Sequence, residues 1–306
     1  MKMKMNNIVA AIEYDGTKFQ GSQKQPNVRT VQGAFDESLT SIHKEKVFSE
    51  FASRTDSGVH ASKQVVSFKS NLEISDESWV DTLNYNLPKD IRVFKCNTFK
   101  KNVDVRRDAI EREYTYRIIL GGRISPIEYN YYEHLNYKLN LSILDSAAKI
   151  FIGKHNFLSF TGRLLPKHSN TVREIKSVNY DVDGRKMNII ISGNSFLHQQ
   201  VRRIIGSLIL LMKNKISLSN IQEALEKPIK GKFNLLVSSR GLYLSDIKYK
   251  NILITGSNGQ LGRSIKDISD EFRYNYFFMT KSNLDITDSE SVKYYIKLLK
   301  FIYNWI

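Results

Sequence analysis

A single cysteine, Cys96, stands in a chain of 306 residues. One thiol excludes a disulfide within the monomer and any cysteine-based zinc site, and Cys96 reads as a small hydrophobe at a strand edge, not as a nucleophile. His43, His134, His155 and His168 show no ligand spacing, so no metal is expected. Long hydrophobic runs are also missing. The longest, Ile204 to Met212, is about half of the roughly 20 residues that cross a bilayer. The apolar run from Ile8 to Ile12, behind the basic start Met1-Lys2-Met3-Lys4-Met5, stops at Glu13, too soon for a signal peptide. A cytoplasmic protein without membrane contact is the expectation.

Acidic residues are scarce relative to basic ones, 31 against 46, for a net charge of +15. Residues 251–306 carry seven Lys and Arg and six Asp and Glu, which leaves +14 on the first 250 residues. Such an excess suits a phosphate backbone, and basic residues interleave with aromatic ones in Arg112-Glu113-Tyr114-Thr115-Tyr116-Arg117. With 41% hydrophobic and 25% charged residues the chain is a globular one, able to bury one large or two ordinary cores.

The most informative segment is Arg54-Thr55-Asp56-Ser57-Gly58-Val59-His60, ahead of a strand-like Gln64-Val65-Val66-Ser67-Phe68. Asp-x-Gly alone is turn chemistry, because Asp bonds its own backbone and Gly accepts positive φ. Here it also places one carboxylate beside a guanidinium. Taken with its flanks, the segment resembles the active-site loop of the tRNA pseudouridine synthase A family, whose catalytic aspartate falls on Asp56. The resemblance continues in the family's order through Tyr14-Asp15-Gly16-Thr17, Gln25-Pro26-Asn27, Thr30-Val31-Gln32, Leu83-Asn84, Leu87-Pro88, Asp90-Ile91, Arg106, Arg112 to Tyr116, Phe196-Leu197-His198, Val201-Arg202, Gly206 and Gly241-Leu242-Tyr243-Leu244. It covers residues 5 to about 249. Ser22, Ser53, Gln200 and Ser238-Ser239 depart from the usual tryptophan, glycine, methionine and proline.

β-rich runs occur at Asn7 to Tyr14, Gln64 to Phe68, Tyr114 to Leu120, Val178 to Val182 and Asn188 to Ser192. Helical spacing lies between them: Thr30 caps a helix with Val31, Phe35, Leu39 and Ile42 on one face, and Leu141 to Phe151 and Ser217 to Leu225 read similarly. A further helix is expected from near Phe196, with His198 and Arg202 one turn apart on one face. This is an α+β pattern. The resemblance implies two ferredoxin-like (RNA-recognition-like) halves, residues 1–106 and 107–249, with merged, mainly antiparallel sheets around a central cleft.

Residues 250–306 form a third unit. A parallel-type strand, Asn251 to Thr255, leads into Gly256-Ser257-Asn258-Gly259-Gln260-Leu261-Gly262 and a helix. With Asn283-Leu284-Asp285 downstream, the segment resembles the start of dTDP-4-dehydrorhamnose reductase, a βαβα Rossmann-like fragment. It lacks Tyr-x-x-x-Lys and the strands that would complete a doubly wound sheet, so NADPH binding is not expected.

The resemblance implies isomerisation of uridines 38, 39 and 40 in the tRNA anticodon arm, without cofactor, by a homodimer. Asp56 would be the nucleophile, Arg202 its ion-pair partner, Tyr114 an aromatic face for the extracted base and Arg54 a phosphate ligand. Tyr116 is assigned to the core and His60 to a structural or RNA-contact role. Two other readings remain open: an NADP-dependent sugar-nucleotide reductase, from the tail, and a non-catalytic RNA-binding protein.

Overall fold

The computed structural model describes residues 5–100, 103–162, 165, 168–269 and 275–293. Ten strands share one sheet: β1 (Asn6–Tyr14), β2 (Ser49–Phe51), β3 (His60–Ser70), β4 (Ile91–Phe99), β5 (Ala109–Leu120), β6 (Glu133–Leu135), β7 (Gly153–Asn156), β8 (Val172–Asp183), β9 (Lys186–Gly193) and β10 (Leu242–Tyr249). Their order is β4-β1-β3-β10-β5-β9-β8-β7, with β2 also beside β3 and β6 beside β5. Pairing is antiparallel except at β5–β6 and at β3–β10, where Tyr243 sits opposite His60 and Leu244 opposite Ala61. Strands drawn from residues 6–99 thus meet strands drawn from residues 109–249 at one short parallel join.

Five helices cover this sheet. α1 (Val31–His43) and α2 (Asp76–Asn86) start where Thr30 and Ser75 accept the Gly33 and Ser78 amides, as N-caps should. They bury Val31, Phe35, Leu39, Trp79 and Leu83, and the Phe68 ring of β3 meets Phe35 at 6.1 Å and Trp79 at 5.2 Å. Each such side chain contributes about 1.5–3 kcal/mol on burial. α3 (Leu144–Phe151), α4 (Gln200–Met212) and α5 (Leu218–Glu226) supply Phe151, Ile204, Ile205, Leu208 and Ile221 to the same core. Ser217 and Asn220 close a capping box on α5.

Five strands, β1, β3, β5, β8 and β9, lie where the β-rich runs placed them, each longer by one to several residues, while β2, β4, β6, β7, β10 and α2 fall outside the expected elements. One expected element differs. α4 begins at Gln200, after Gln199 in the left-handed region, so His198 sits in a turn ahead of the helix instead of one helical turn before Arg202. Cys96 is buried in the edge strand β4, where burial pushes its thiol up to about 12. Residues after Tyr249 form β11 (Asn251–Thr255), α6 (Gln260–Ile268) and β12 (Asn275–Met279), the two strands pairing in parallel. The second helix expected in this tail lies partly outside the described residues. Among the described residues no helix is long and apolar enough to cross a membrane.

Candidate active site

The segment between β2 and β3 carries Asp56, and its backbone is tied down on every side. Thr55 donates its N–H to Ser22 Oγ at 2.8 Å, Ser22 donates its own to the Thr55 carbonyl at 3.0 Å, and the Tyr14 and Thr55 hydroxyls meet at 2.8 Å. Buried Gln64 grips Ser53 twice, accepting its N–H at 3.1 Å and donating to its carbonyl at 2.8 Å. Val59 N–H returns to the Asp56 carbonyl at 3.2 Å, closing a turn whose Gly58 has φ +75°. That φ favours glycine, and a Cβ at Gly58 would lie 2.6 Å from Ser239 Oγ, which would have to rotate away.

The Asp56 side chain is 22% exposed. Arg202 Nη1 donates to its Oδ2 at 3.3 Å from a side chain only 12% exposed, while Arg202 Nε donates to the Val237 carbonyl at 2.8 Å. His198 Nε2 lies 3.4 Å from Oδ1 on a ring 64% exposed. Both contacts are longer than a tight charge-assisted bond of about 2.7–2.9 Å. The carboxylate is therefore oriented by a fixed guanidinium on one oxygen and approached by a solvated imidazole on the other. Segment Val237-Ser238-Ser239 acts as a hub: it anchors Arg202, packs under Gly58, and accepts the Tyr116 hydroxyl at 3.0 Å through the Ser238 carbonyl.

Tyr114 projects from β5 into the same cavity, of about 880 Å³. Its ring meets Phe196 edge-on at 5.3 Å and its hydroxyl lies 3.0 Å from Ser53 Oγ. Burial raises the phenol's pKa, the Ser53 bond opposes this and the Asp56 charge adds to it, so the hydroxyl keeps its proton. Tyr116 is fully buried, as expected of a core residue.

Among the described cavity-lining residues Asp56 is the one carboxylate, in the company of Arg54, Arg106, Arg112 and Arg202. Arg54 and Arg106 are exposed and free to meet a polyanion. Arg112 is buried and donates to the carbonyls of Ala52, Arg106, Ala109 and Asn194, of which Ala52 ties the segment ahead of Asp56 to β5. The structure thus brings Asp56, Arg54, Tyr114 and Arg202 into one cavity. The motifs contain His198, Arg106 and Arg112, but the sequence alone assigns them no role. The arginines' clustering around an aromatic strand was the available signal; the His198 contact depends on a turn that the sequence pattern hides.

His60 points away from this chemistry. Its Nδ1 accepts the Gly16 N–H at 3.1 Å, its Nε2 faces the Asn130 carbonyl at 3.0 Å, and its ring stacks on Tyr243 at 4.7 Å. Asp15 lies 3.2 Å from Nδ1, an ion-pair distance. The ring is nonetheless neutral: burial lowers its pKa more than Asp15 raises it, and an Nδ1 that accepts a hydrogen bond carries no proton.

The family model for tRNA pseudouridine synthase matches residues 10–106 and 147–250. A tRNA pseudouridine synthase A of Pseudothermotoga lettingae is 37% identical over 246 residues, 80% of this chain and 100% of that protein. A tRNA pseudouridine synthase A 2 of Clostridium perfringens is 34% identical over 245 residues, and a tRNA pseudouridine synthase A of Borrelia garinii subsp. bavariensis 33% over 247, again at 80% of this chain and all of theirs. The carboxylate sits in a cleft whose arginines suit a polyanionic partner. The chain belongs to the tRNA pseudouridine synthase family.

Proposed function

We propose that the protein isomerises uridines 38, 39 and 40 of the tRNA anticodon arm to pseudouridine, with Asp56 as the nucleophile. As a member of its family it is an isomerase acting on tRNA. The observation that carries the catalytic reading is the single carboxylate held by Arg202 in a cavity otherwise lined by arginines and neutral groups. In the reaction the C1′–N1 bond breaks, the base rotates and C1′ rejoins it at C5; the C5 hydrogen leaves as a proton and N1 gains one. Asp56 takes the sugar carbon or a sugar proton while the base is detached, splitting one hard step into two. Tyr114 offers a ring face to the base once it leaves the stack, and Arg54 meets the flanking phosphate.

The sheet order supports reading residues 1–106 and 107–249 as two RNA-recognition-like halves merged across the cleft. Residues 250–306 are a Rossmann-like unit resembling the start of a dTDP-4-dehydrorhamnose reductase, without NADPH binding. A homodimer in the cytoplasm completes the proposal. The test is tritium release from C5-labelled uridine in tRNA, with and without nicotinamide cofactor. Wild type releases tritium at those three positions without cofactor. Asp56→Asn, which keeps volume and turn geometry, binds tRNA and releases none. An Asp56→Asn protein working at more than a few per cent of wild type would leave Asp56 a turn residue.

A further inference from the structure

The Tyr114 phenol is gripped at both ends. Phe196 packs edge-on against its ring, 5.3 Å between centroids and 88° between planes, and Ser53 Oγ lies 3.0 Å from its oxygen. Ser53 presents that hydroxyl from a fixed point, because Gln64, fully buried, bonds both its N–H and its carbonyl. Ser53 is not among the residues with positive φ, so a serine sits there without strain.

We propose that Ser53 is a positioning residue for the isomerisation, its hydroxyl fixing the Tyr114 phenol beside Asp56 over the target nucleotide. The proposal rests on the reading of Asp56 and Tyr114 given above. Its physical basis is the hydrogen-bonding capacity of a phenol, one donor and its acceptor lone pairs. A buried hydroxyl left without a partner is costly and turns to find one. Engaged with Ser53, the Tyr114 hydroxyl has a set direction, on a residue that lines the same cavity as Asp56. The Ser53 backbone, and through it the height of the Asp56 turn, is then coupled to the ring on which the base rests.

A double-mutant cycle on kcat, at saturating tRNA, tests this. Ser53→Ala lowers kcat roughly three- to tenfold, the worth of one neutral hydrogen bond, and leaves KM in place. Tyr114→Phe lowers it at least as much, and adding Ser53→Ala to Tyr114→Phe lowers it no further. Ser53→Thr, which keeps the hydroxyl, restores wild-type turnover to within about twofold. Losses that multiply, a Ser53→Ala enzyme equal to wild type, or a Ser53→Thr enzyme as slow as Ser53→Ala would each overturn the proposal. If Ser53→Ala does not fold, Ser53→Cys, of similar size and a weak hydrogen-bond former, takes its place in the cycle. Asp56→Asn runs beside these variants: product from it defeats the underlying catalytic reading, whereas a silent Asp56→Asn with multiplicative losses defeats only the role of Ser53.

Discussion

Arg202→Ala removes the guanidinium from Asp56 Oδ2 and leaves the Val237 carbonyl without its donor. A hydrogen bond to a charged group contributes about 1.5–3 kcal/mol, so kcat should fall roughly 10- to 150-fold. Single-turnover kinetics with labelled tRNA check it; Arg202→Lys, which cannot reach both partners at once, should recover little. His60 makes a prediction of a different kind. Its pKa is lowered in the folded chain, chiefly by burial, so below the ordinary histidine value the unfolded chain binds the extra proton. Stability from this neutral ring is present above about pH 6.5 and is lost as pH falls through that value toward the folded one. The melting temperature of wild type should therefore drop between neutral and mildly acidic pH, and His60→Gln should flatten the slope. At this scale the sequence was legible in which residues share a cavity. Asp56, Arg54, Tyr114 and Arg202 meet in one cavity, but His198 and the Ser53–Tyr114 contact depend on a left-handed Gln199 and on the exact seating of a loop by Gln64, which no local pattern encodes.

α4 is the element on which the site depends most. It carries Arg202, and it lies close against the 235–237 segment because Gly206 has no side chain: a Cβ there would sit 2.3 Å from the Leu235 carbonyl oxygen. Gly206→Ala must push the helix off that segment, with overpacking that costs about 1–3 kcal/mol. The expected result is a lower melting temperature together with a loss of kcat, since Arg202 moves with the helix while Asp56 does not. Denaturant unfolding and tritium release on the same preparation measure both. Elements with strong periodicity and a cap, such as α1 behind Thr30, could be read directly from the sequence. The start of α4 could not, because Gln199 caps nothing with its side chain and enters the helix through a backbone conformation more usual for glycine.

For the whole molecule, nearly all of the net charge and every cavity-lining residue precede Lys250. A chain ending at Lys250 should fold, bind tRNA with the same steep salt dependence and keep wild-type kcat; lost activity on that truncation would detach the function from the first 249 residues. The sheet order adds a constraint in time. β10 is the last strand of the large sheet to be synthesised, yet it lies at the middle, between β3 and β5. A ribosome adds about 5–20 residues per second, so an interval on the order of ten seconds separates the emergence of β5 from that of β10. Until then β3 and β5 have bare edges along the stretches that β10 will pair, the condition that invites wrong partners. The anchors of Arg202 and Tyr116, Val237 and Ser238, emerge just ahead of that strand. A nascent chain can thus hold Asp56 in its turn while Arg202 still lacks its anchor, and the cavity is complete only when the last few dozen residues before Lys250 thread into the centre of a sheet that has been waiting for them.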